Sequence, residues 1–265
     1  MRLTGTAPFH QGGPRSRSTS IEVLRRAIEL GVNHIDTATF YFSQTRSANE
    51  LINSALSPYP KDLVIVTKVG PRRNASGAWE PPATPAELRG EVEENLRQLG
   101  LDCLDVVNLR VSRGQTSVAA HFSALAALQA EGLIRSLGVS GVTVAQLAEA
   151  QAIAPVVCVQ NPFAFDRRQG RDVLDACRDQ GIAFVPFFAI AGSGRDTGDG
   201  STPSAAITDL AAARGATPAQ IRLAWTLHQG PHVLAIPGTG SLTHLEENIA
   251  AATITLTPEE LAALD

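Results

Sequence analysis

Three side chains in the first quarter of the chain have the types needed to pass a proton: Asp36, Tyr41 and Lys68. Asp36 and Tyr41 share one strand-to-helix connection in GVNHIDTATFYFSQTRSANELINSAL, which runs from Gly31 to Leu56. Lys68 lies near the end of the next strand-like run, LVIVTKV. A tyrosine hydroxyl, with a reference pKa of ~10, is a poor acid at neutral pH unless a cation lies beside it. Lys68 can be that cation, and Asp36 can pair with Lys68 to keep it charged and aimed. Tyr41 would then give a proton to a carbonyl oxygen while a hydride arrives at the carbon. Each residue alone has a plainer reading: Asp36 as a helix cap, Lys68 as a solvated or salt-bridged charge, Tyr41 as packing. Their conjunction on successive strand ends favours the chemical reading.

The elements that must position them alternate in type. Strand-like runs are expected at Val32–Ile35, Leu63–Val69, Cys103–Val111, Ile134–Ser140, Val156–Asn161, Ile182–Phe188 and His232–Ile236. Helices are expected between them. The first, Ser20–Leu30, carries a Thr19/Glu22 capping box and ends at Gly31; the second opens on a Ser47/Glu50 box. Thr84 with Pro85 and Glu87, Thr143 with Gln146, and Thr217 with Pro218 and Gln220 open three others. Val118–Ala130, a segment ending at Gly181, Leu242–Ala251 and a short helix opened by Thr257 and Pro258 complete the set.

Continuous apolar strands spaced by helices predict an α/β fold of parallel βαβ units buried on both faces. Polar or special groups stand at almost every strand end: Asp36, Lys68, Asn108 and Arg110, Ser140, Gln160 and Asn161, Phe187, then Gly238 and Thr239. In a (β/α)8 TIM barrel such ends meet at one mouth, where active sites are built. A dinucleotide-binding Rossmann fold would need GxGxxG after its first strand, and no such motif is present. The count is seven strands where a barrel needs eight, so the first barrel strand is expected to be missing or shortened, with only Met1–Thr6 ahead of the first helix. No linker or composition break interrupts the chain, so residues 1–265 read as a single barrel domain.

At 44% apolar and 18% charged, the 265 residues suffice for a large core. A net charge of −4 argues against nucleic acid and anionic membrane as partners. No apolar run approaches the roughly 18 residues of a membrane span, and the first residues lack the apolar core of a signal peptide. Three cysteines with no CxxC suggest neither a disulfide framework nor a zinc site, so no metal is expected and the compartment reads as cytoplasmic.

The motifs GVNHIDTATFY, NELINSAL, LVIVTKVG, LDCLDVVNL, IRSLGVSG, VQNPF and IPGTGSLTHLEEN resemble an aldo-keto reductase. The resemblance runs in order from about Ser20 to the C-terminus. It implies a (β/α)8 barrel that binds NADPH without a Rossmann fold and reduces aldehydes and ketones with an Asp, Tyr, Lys and His tetrad. Asp36, Tyr41 and Lys68 fall on three of those positions. For the cofactor, Ser140 and Gln160 match residues that hold the nicotinamide amide, and Phe187 an aromatic ring that stacks on it. Glu247 and Asn248 match the pair that holds the adenine. Thr239 and Ser241 precede a helix N-terminus, a natural site for the 2′-phosphate.

The departures are informative. Arg110 stands where the family has its histidine, as in a subset resembling pyridoxal reductases. A guanidinium can donate a hydrogen bond to the carbonyl, favour the tyrosinate, or recognise an acidic substrate. Gly141 stands for the usual asparagine after the serine. Gly238 and His244 stand where a lysine and an arginine clamp the 2′-phosphate, so NADP is favoured and NADH is not excluded. The expectation is an NADP-dependent reductase of a small-molecule carbonyl substrate. The alternatives are a nicotinamide-binding sensor or scaffold without turnover, and a barrel doing non-redox acid–base chemistry such as dehydration. Substrate choice is expected to lie in the loops Asn74–Pro82, Ser112–Thr116 and Ala191–Ser204, with Trp79 either a pocket residue or an exposed loop aromatic.

Overall fold

The computed structural model describes residues 3–5, 15–43, 46–190 and 204–264. The expected Ala191–Ser204 loop therefore lies almost wholly outside the described residues. The chain forms two compact units: Met1–Val159 with Gly238–Leu242, and Gln160–Pro237 with Thr243–Asp265.

The first unit holds the alternation that positions the chemistry. Helix α1 (Arg17–Glu29) leads to strand β1 (His34–Asp36). A short hairpin, β2 (Phe42–Ser43) with β3 (Arg46–Ser47), precedes α2 (Ala48–Leu56) and β4 (Val64–Val69). A second hairpin, β5 (Arg72–Arg73) with β6 (Trp79–Glu80), precedes a 3-10 turn at Pro85–Glu87 and α3 (Leu88–Leu99). Then come β7 (Leu104–Arg110), α4 (Ala119–Ala130), β8 (Ile134–Ser140), α5 (Val144–Gln151) and β9 (Val156–Gln160). The strands neighbour one another in the order β1, β4, β7, β8, β9. The first three pairings are parallel, with Asp36 opposite Val66, Lys68 opposite Asn108 and Arg110 opposite Ser140. Parallel, in-register strands bring their C-terminal ends to one edge. Burial follows the apolar runs: Ile65, Val66, Val69, Val107, Leu109, Leu137 and Val139 are each at most 2% exposed.

The second unit contains α6 (Arg171–Gln180), β10 (Ala183–Phe184), α7 (Ala205–Arg214), α8 (Pro218–Leu227), most of α9 (Leu242–Ala250) and α10 (Pro258–Leu264). Its core is aromatic: Phe163 stacks on Trp225 at 5.8 Å and meets Phe184 edge-on at 6.0 Å.

Local expectations hold where the signal is local. The capping boxes at Thr84/Glu87, Thr143/Gln146 and Thr217/Gln220 form as read. Four expectations are corrected. The cap of α1 is Ser16, whose hydroxyl accepts from Thr19 N, rather than Thr19 itself. Ser47 caps α2 without a side-chain bond, because its hydroxyl donates instead to Gln98 Oε1 on α3, 2.9 Å away. The run Ile182–Phe188 is a strand only at Ala183–Phe184. Pro186 has no N–H to donate, and Phe188 adopts a φ of +70°. His232–Ile236 is not a strand; it meets β10 through one parallel bridge, Val233 to Phe184, flanked by Phe184 N donating to His232 O and Leu234 N to Phe184 O. Among the described residues no strand precedes α1; Leu3 is buried there, and its carbonyl accepts from Ser20 Oγ at 2.7 Å.

Candidate active site

Asp36 ends β1 and Lys68 is the penultimate residue of β4, so parallel pairing sets them side by side. Lys68 Nζ donates to Asp36 Oδ1 at 2.5 Å and to the Thr37 carbonyl at 3.1 Å. The two side chains are 6% and 9% exposed. The same ammonium lies 5.2 Å from the centroid of the Tyr41 ring. Tyr41 is placed by its main chain: its N–H donates to Ala38 O, and its carbonyl accepts from Ala48 N at the start of α2. Strand, turn and helix together thus aim one acid, one ammonium and one phenol at the same point.

The electrostatics suit proton donation. Burial pushes the Tyr41 phenol above its ordinary value; Lys68 and Arg110 pull it down, Asp36 pushes it up, and burial prevails. The cations do favour the tyrosinate, as the sequence suggested, but burial outweighs them and the phenol keeps its proton at neutral pH. Burial works to lower the Lys68 ammonium, yet the Asp36 carboxylate and Tyr41 outweigh it, so Lys68 is held charged. His34, two residues before Asp36, is pushed down chiefly by burial and is neutral, and its Nε2 is buried with no hydrogen-bond partner.

Arg110 ends β7 with its guanidinium turned to the neighbouring strand end, where Nη1 donates to Ser140 Oγ at 3.1 Å. Two glycines make room for it. Gly141 has a φ of +75°, and a Cβ there would stand 2.7 Å from Arg110 Nη1. Gly70 has a φ of +116°, and a Cβ there would stand 2.7 Å from the Arg110 carbonyl oxygen. Both conformations favour glycine on their own account. Burial lowers the Arg110 pKa while Tyr41 raises it; a guanidinium stays cationic in either case.

Trp79 is 53% exposed and packs on Phe40 at 5.8 Å, which in turn meets Tyr41 edge-on at 5.0 Å. It therefore reaches the phenol through Phe40. A cleft of about 400 Å³ opens beside this stack, lined by Phe40, Phe42, Arg72, Glu87 and Glu91 among others, and it excludes Asp36, Tyr41, Lys68 and Arg110.

The expected cofactor residues divide between the units. In the first unit, Ser140 is 1% exposed beside Gly141, and the turn Gly238–Ser241 leads into α9. Ser241 N donates to Thr239 Oγ1 at 3.1 Å, and a Cβ on Gly238 would meet nothing within 4 Å. Sequence reasoning missed Arg15 here: its Nη1 donates to Gly240 O at 3.2 Å, and its buried Nε has no hydrogen-bond partner. Arg15 lies in a stretch without periodicity, so only the folded chain could link it to Gly240. A phosphate would suit this turn, since a helix N-terminus, two hydroxyls and a guanidinium N–H are the donors it needs. In the second unit, Gln160 is fully buried. Phe187 is half-buried, bridged to Pro162 and in edge contact with Phe188 at 4.9 Å. On α9, His244 is exposed, Glu247 and Asn248 are half-buried, and the Glu247 carbonyl accepts from Gln220 Nε2 at 3.0 Å. Among the described residues no group of three or more His, Cys, Asp or Glu side chains could hold a metal ion, and no helix is long and apolar enough to cross a membrane.

Comparison with known proteins places this geometry in context. The Aldo/keto reductase family profile matches residues 3–265. The chain is 46% identical over 273 residues to pyridoxine 4-dehydrogenase of Escherichia coli (strain K12), an alignment covering 100% of this chain and 91% of that protein. An uncharacterised oxidoreductase of Schizosaccharomyces pombe (strain 972 / ATCC 24843) is 39% identical over 265 residues, covering 100% of this chain and 83% of its own. Among solved structures, an aldo-keto reductase from Klebsiella pneumoniae in complex with NADPH superimposes with a TM-score of 0.82 at 31% identity, over 99% of this chain and 88% of that one.

Proposed function

Because this chain belongs to the aldo/keto reductase family, with the (β/α)8 fold class that membership carries, we propose that it reduces a small aldehyde or ketone to the alcohol, with NADPH as cofactor and Tyr41 as proton donor. The balance is carbonyl plus NADPH plus a proton giving alcohol plus NADP. The observation that carries this reading is the buried contact of Lys68 with Asp36 at 2.5 Å, directly beneath Tyr41. When bound, the nicotinamide supplies the hydride. The chain's own residues do the rest. Tyr41 gives its proton to the carbonyl oxygen as negative charge develops there, and Lys68 and Arg110 stabilise the tyrosinate left behind. Asp36 keeps Lys68 charged and in place. Arg110, at the position of the family's histidine, donates to the carbonyl and orients it.

For the cofactor, we assign Ser140, Gly141 and Gln160 to the nicotinamide amide, Phe187 to its ring face, and Glu247 and Asn248 to the adenine. The 2′-phosphate falls to Thr239, Ser241 and the α9 N-terminus, with Arg15 replacing charge absent at Gly238 and His244. Pyridoxal is the first substrate to test, because the Escherichia coli relative is named for the corresponding alcohol. The chain acts as one functional domain in the cytoplasm, where its free cysteines Cys103, Cys158 and Cys177 stay reduced. A turnover-free nicotinamide sensor is less well supported, since binding alone needs no protonated phenol beside a held ammonium. A dehydratase is less well supported, since it needs no NADPH, which the Klebsiella pneumoniae relative binds. The test follows NADPH absorbance with pyridoxal and a panel of aldehydes. Wild type should consume NADPH and Tyr41→Phe should not; equal turnover by both would remove Tyr41 from the mechanism.

A further inference from the structure

The strands that carry Asp36 and Lys68 have a second face. Side chains alternate along a strand, so the neighbours Thr37 and Thr67 point away from the reactive groups and towards the covering helices. Thr37 N donates to Val66 O at 2.8 Å, which sets these two threonines beside each other just as Asp36 and Lys68 are set on the opposite face. Their hydroxyls enter a closed polar network. Thr37 Oγ1 donates to Asn49 Oδ1 at 2.7 Å, and Asn49 Nδ2 donates to Asn95 Oδ1 at 3.0 Å. Thr67 Oγ1 donates to that same Asn95 oxygen at 2.5 Å, and Asn95 Nδ2 donates to Glu91 O at 2.8 Å. All four residues are 0% exposed.

Such a network is costly to bury and rigid once satisfied. Its placement says what the rigidity serves. Lys68 Nζ has two acceptors, Asp36 Oδ1 and the Thr37 carbonyl, and its own backbone follows directly on Thr67. Asn95 Oδ1 therefore restrains Thr67, which leads into Lys68, directly, and Thr37, which holds the ammonium, through Asn49. Asn49 on α2 and Asn95 on α3 supply the link from outside the sheet.

We propose that Asn95 and Asn49, acting through the hydroxyls of Thr37 and Thr67, are positioning residues that fix the Lys68 ammonium against Asp36 and Tyr41. The inference rests on the assignment of Tyr41 and Lys68 as the proton-delivery pair. None of the four touches the reacting atoms; they set where the ammonium stands. A misplacement of about 1 Å at the reacting groups can slow catalysis about a hundredfold, so loss of one of two restraints is expected to slow it about tenfold.

The test separates positioning from stability. Thr37→Val and Thr67→Val keep side-chain shape and remove one hydroxyl each; Thr37→Ser and Thr67→Ser keep the hydroxyl. Steady-state kinetics with pyridoxal would be normalised to the NADPH-binding sites found by fluorescence titration, and thermal midpoints measured alongside. Each valine variant should lower kcat about tenfold per bound NADPH, with the Kd for NADPH unchanged and a larger solvent deuterium isotope effect on kcat. Each serine variant should restore kcat. Asn53→Ala is the control: Asn53 Nδ2 donates to Gln98 O at 3.4 Å, so it joins the same two helices without leading to the site. It should lower the thermal midpoint and leave kcat alone. Wild-type kcat per bound NADPH in both valine variants, with Tyr41→Phe inactive, would overturn the positioning role and leave the proposed function standing. If one valine variant fails to fold, the other decides; if both do, Asn95→Ser and Asn49→Ser are read in the same assay. An active Tyr41→Phe would overturn both assignments together.

Discussion

Two ion pairs in the first unit have the same 2.5 Å separation and opposite surroundings. Lys68–Asp36 lies between strand ends with its side chains 6% and 9% exposed, whereas Arg72–Glu87 lies on the rim with side chains 36% and 46% exposed. The buried pair has fixed partners on every side: the Thr37 carbonyl, the Tyr41 ring and the network behind the strands. The rim pair is one of several contacts that its long side chains can exchange, since Arg72 also meets Glu80 at 3.8 Å and Glu87 also accepts from Thr84. Separation alone thus says little about what a pair does. Burial makes the first pair costly to break, and connection to a phenol makes it chemical.

Breaking the buried pair should give the largest effect. Lys68→Met leaves Asp36 buried without its counter-charge, which is expected to cost about 3–5 kcal/mol of stability and to lower kcat about a thousandfold, as loss of a general acid's support does. Thermal unfolding and NADPH oxidation check the two parts separately. A stable and active Lys68→Met would make the buried pair no different from the rim pair.

Gly141→Ala comes next. It forces an L residue into a left-handed conformation, at roughly 1–2 kcal/mol, and its Cβ meets the Arg110 guanidinium. Because the clash is shared, Gly141→Ala combined with Arg110→Ala should lose less stability than the sum of the two single changes. Strict additivity in denaturant unfolding would show that Arg110 does not depend on the space at Gly141.

Arg15→Ala tests a cation whose expected partner belongs to the cofactor. The KM for NADPH should rise about tenfold, the worth of one charge-assisted hydrogen bond, while the KM for NADH stays the same. A parallel rise for both nucleotides would detach Arg15 from the 2′-phosphate.

The rim pair should give the smallest effect. Hydrogen bonds from Thr84 N and Thr84 Oγ1, then Arg72, pull the Glu87 carboxyl down to about 2. A depressed carboxylate adds stability that is present above its ordinary value near 4.5 and is lost as pH falls through about 2. Glu87→Gln should therefore lower the thermal midpoint slightly at pH 7, with the gap to wild type closing as pH drops towards about 2. A gap that stayed constant across that window would mean that the charge itself contributes nothing.

The sequence made the buried pair legible and hid its support. Asp36 and Lys68 stand out because strand period and residue type are local signals, and the same holds for the capping boxes at Thr143 and Thr217. Ser47 reads equally well as a box, but Gln98 on α3 takes its hydroxyl, and nothing in the local pattern reports a competitor from another helix. Ile182–Phe188 reads as a strand from its apolar residues, while Pro186 and the positive φ of Phe188 decide against it. Asn49 and Asn95 are polar residues in helix interiors, where the default position is the solvated face; only packing against β1 and β4 turns them inward. Arg15 likewise acquires meaning from Gly240, 225 positions away.

The space around Arg110 has a consequence for how this site can drift over evolutionary time. One glycine admits its main-chain carbonyl and another admits its guanidinium, so the arginine side chain and Gly141 form a linked pair. A side chain gained at 141 would be tolerated only after the arginine had been replaced by something smaller, whereas one gained at 70 would meet the carbonyl whatever residue stood at 110. Substitutions at 110 and 141 should therefore covary among relatives, with arginine at 110 accompanied by glycine at 141, while glycine at 70 is kept throughout. A randomised library that varies 110 alone would sample only half of that exchange.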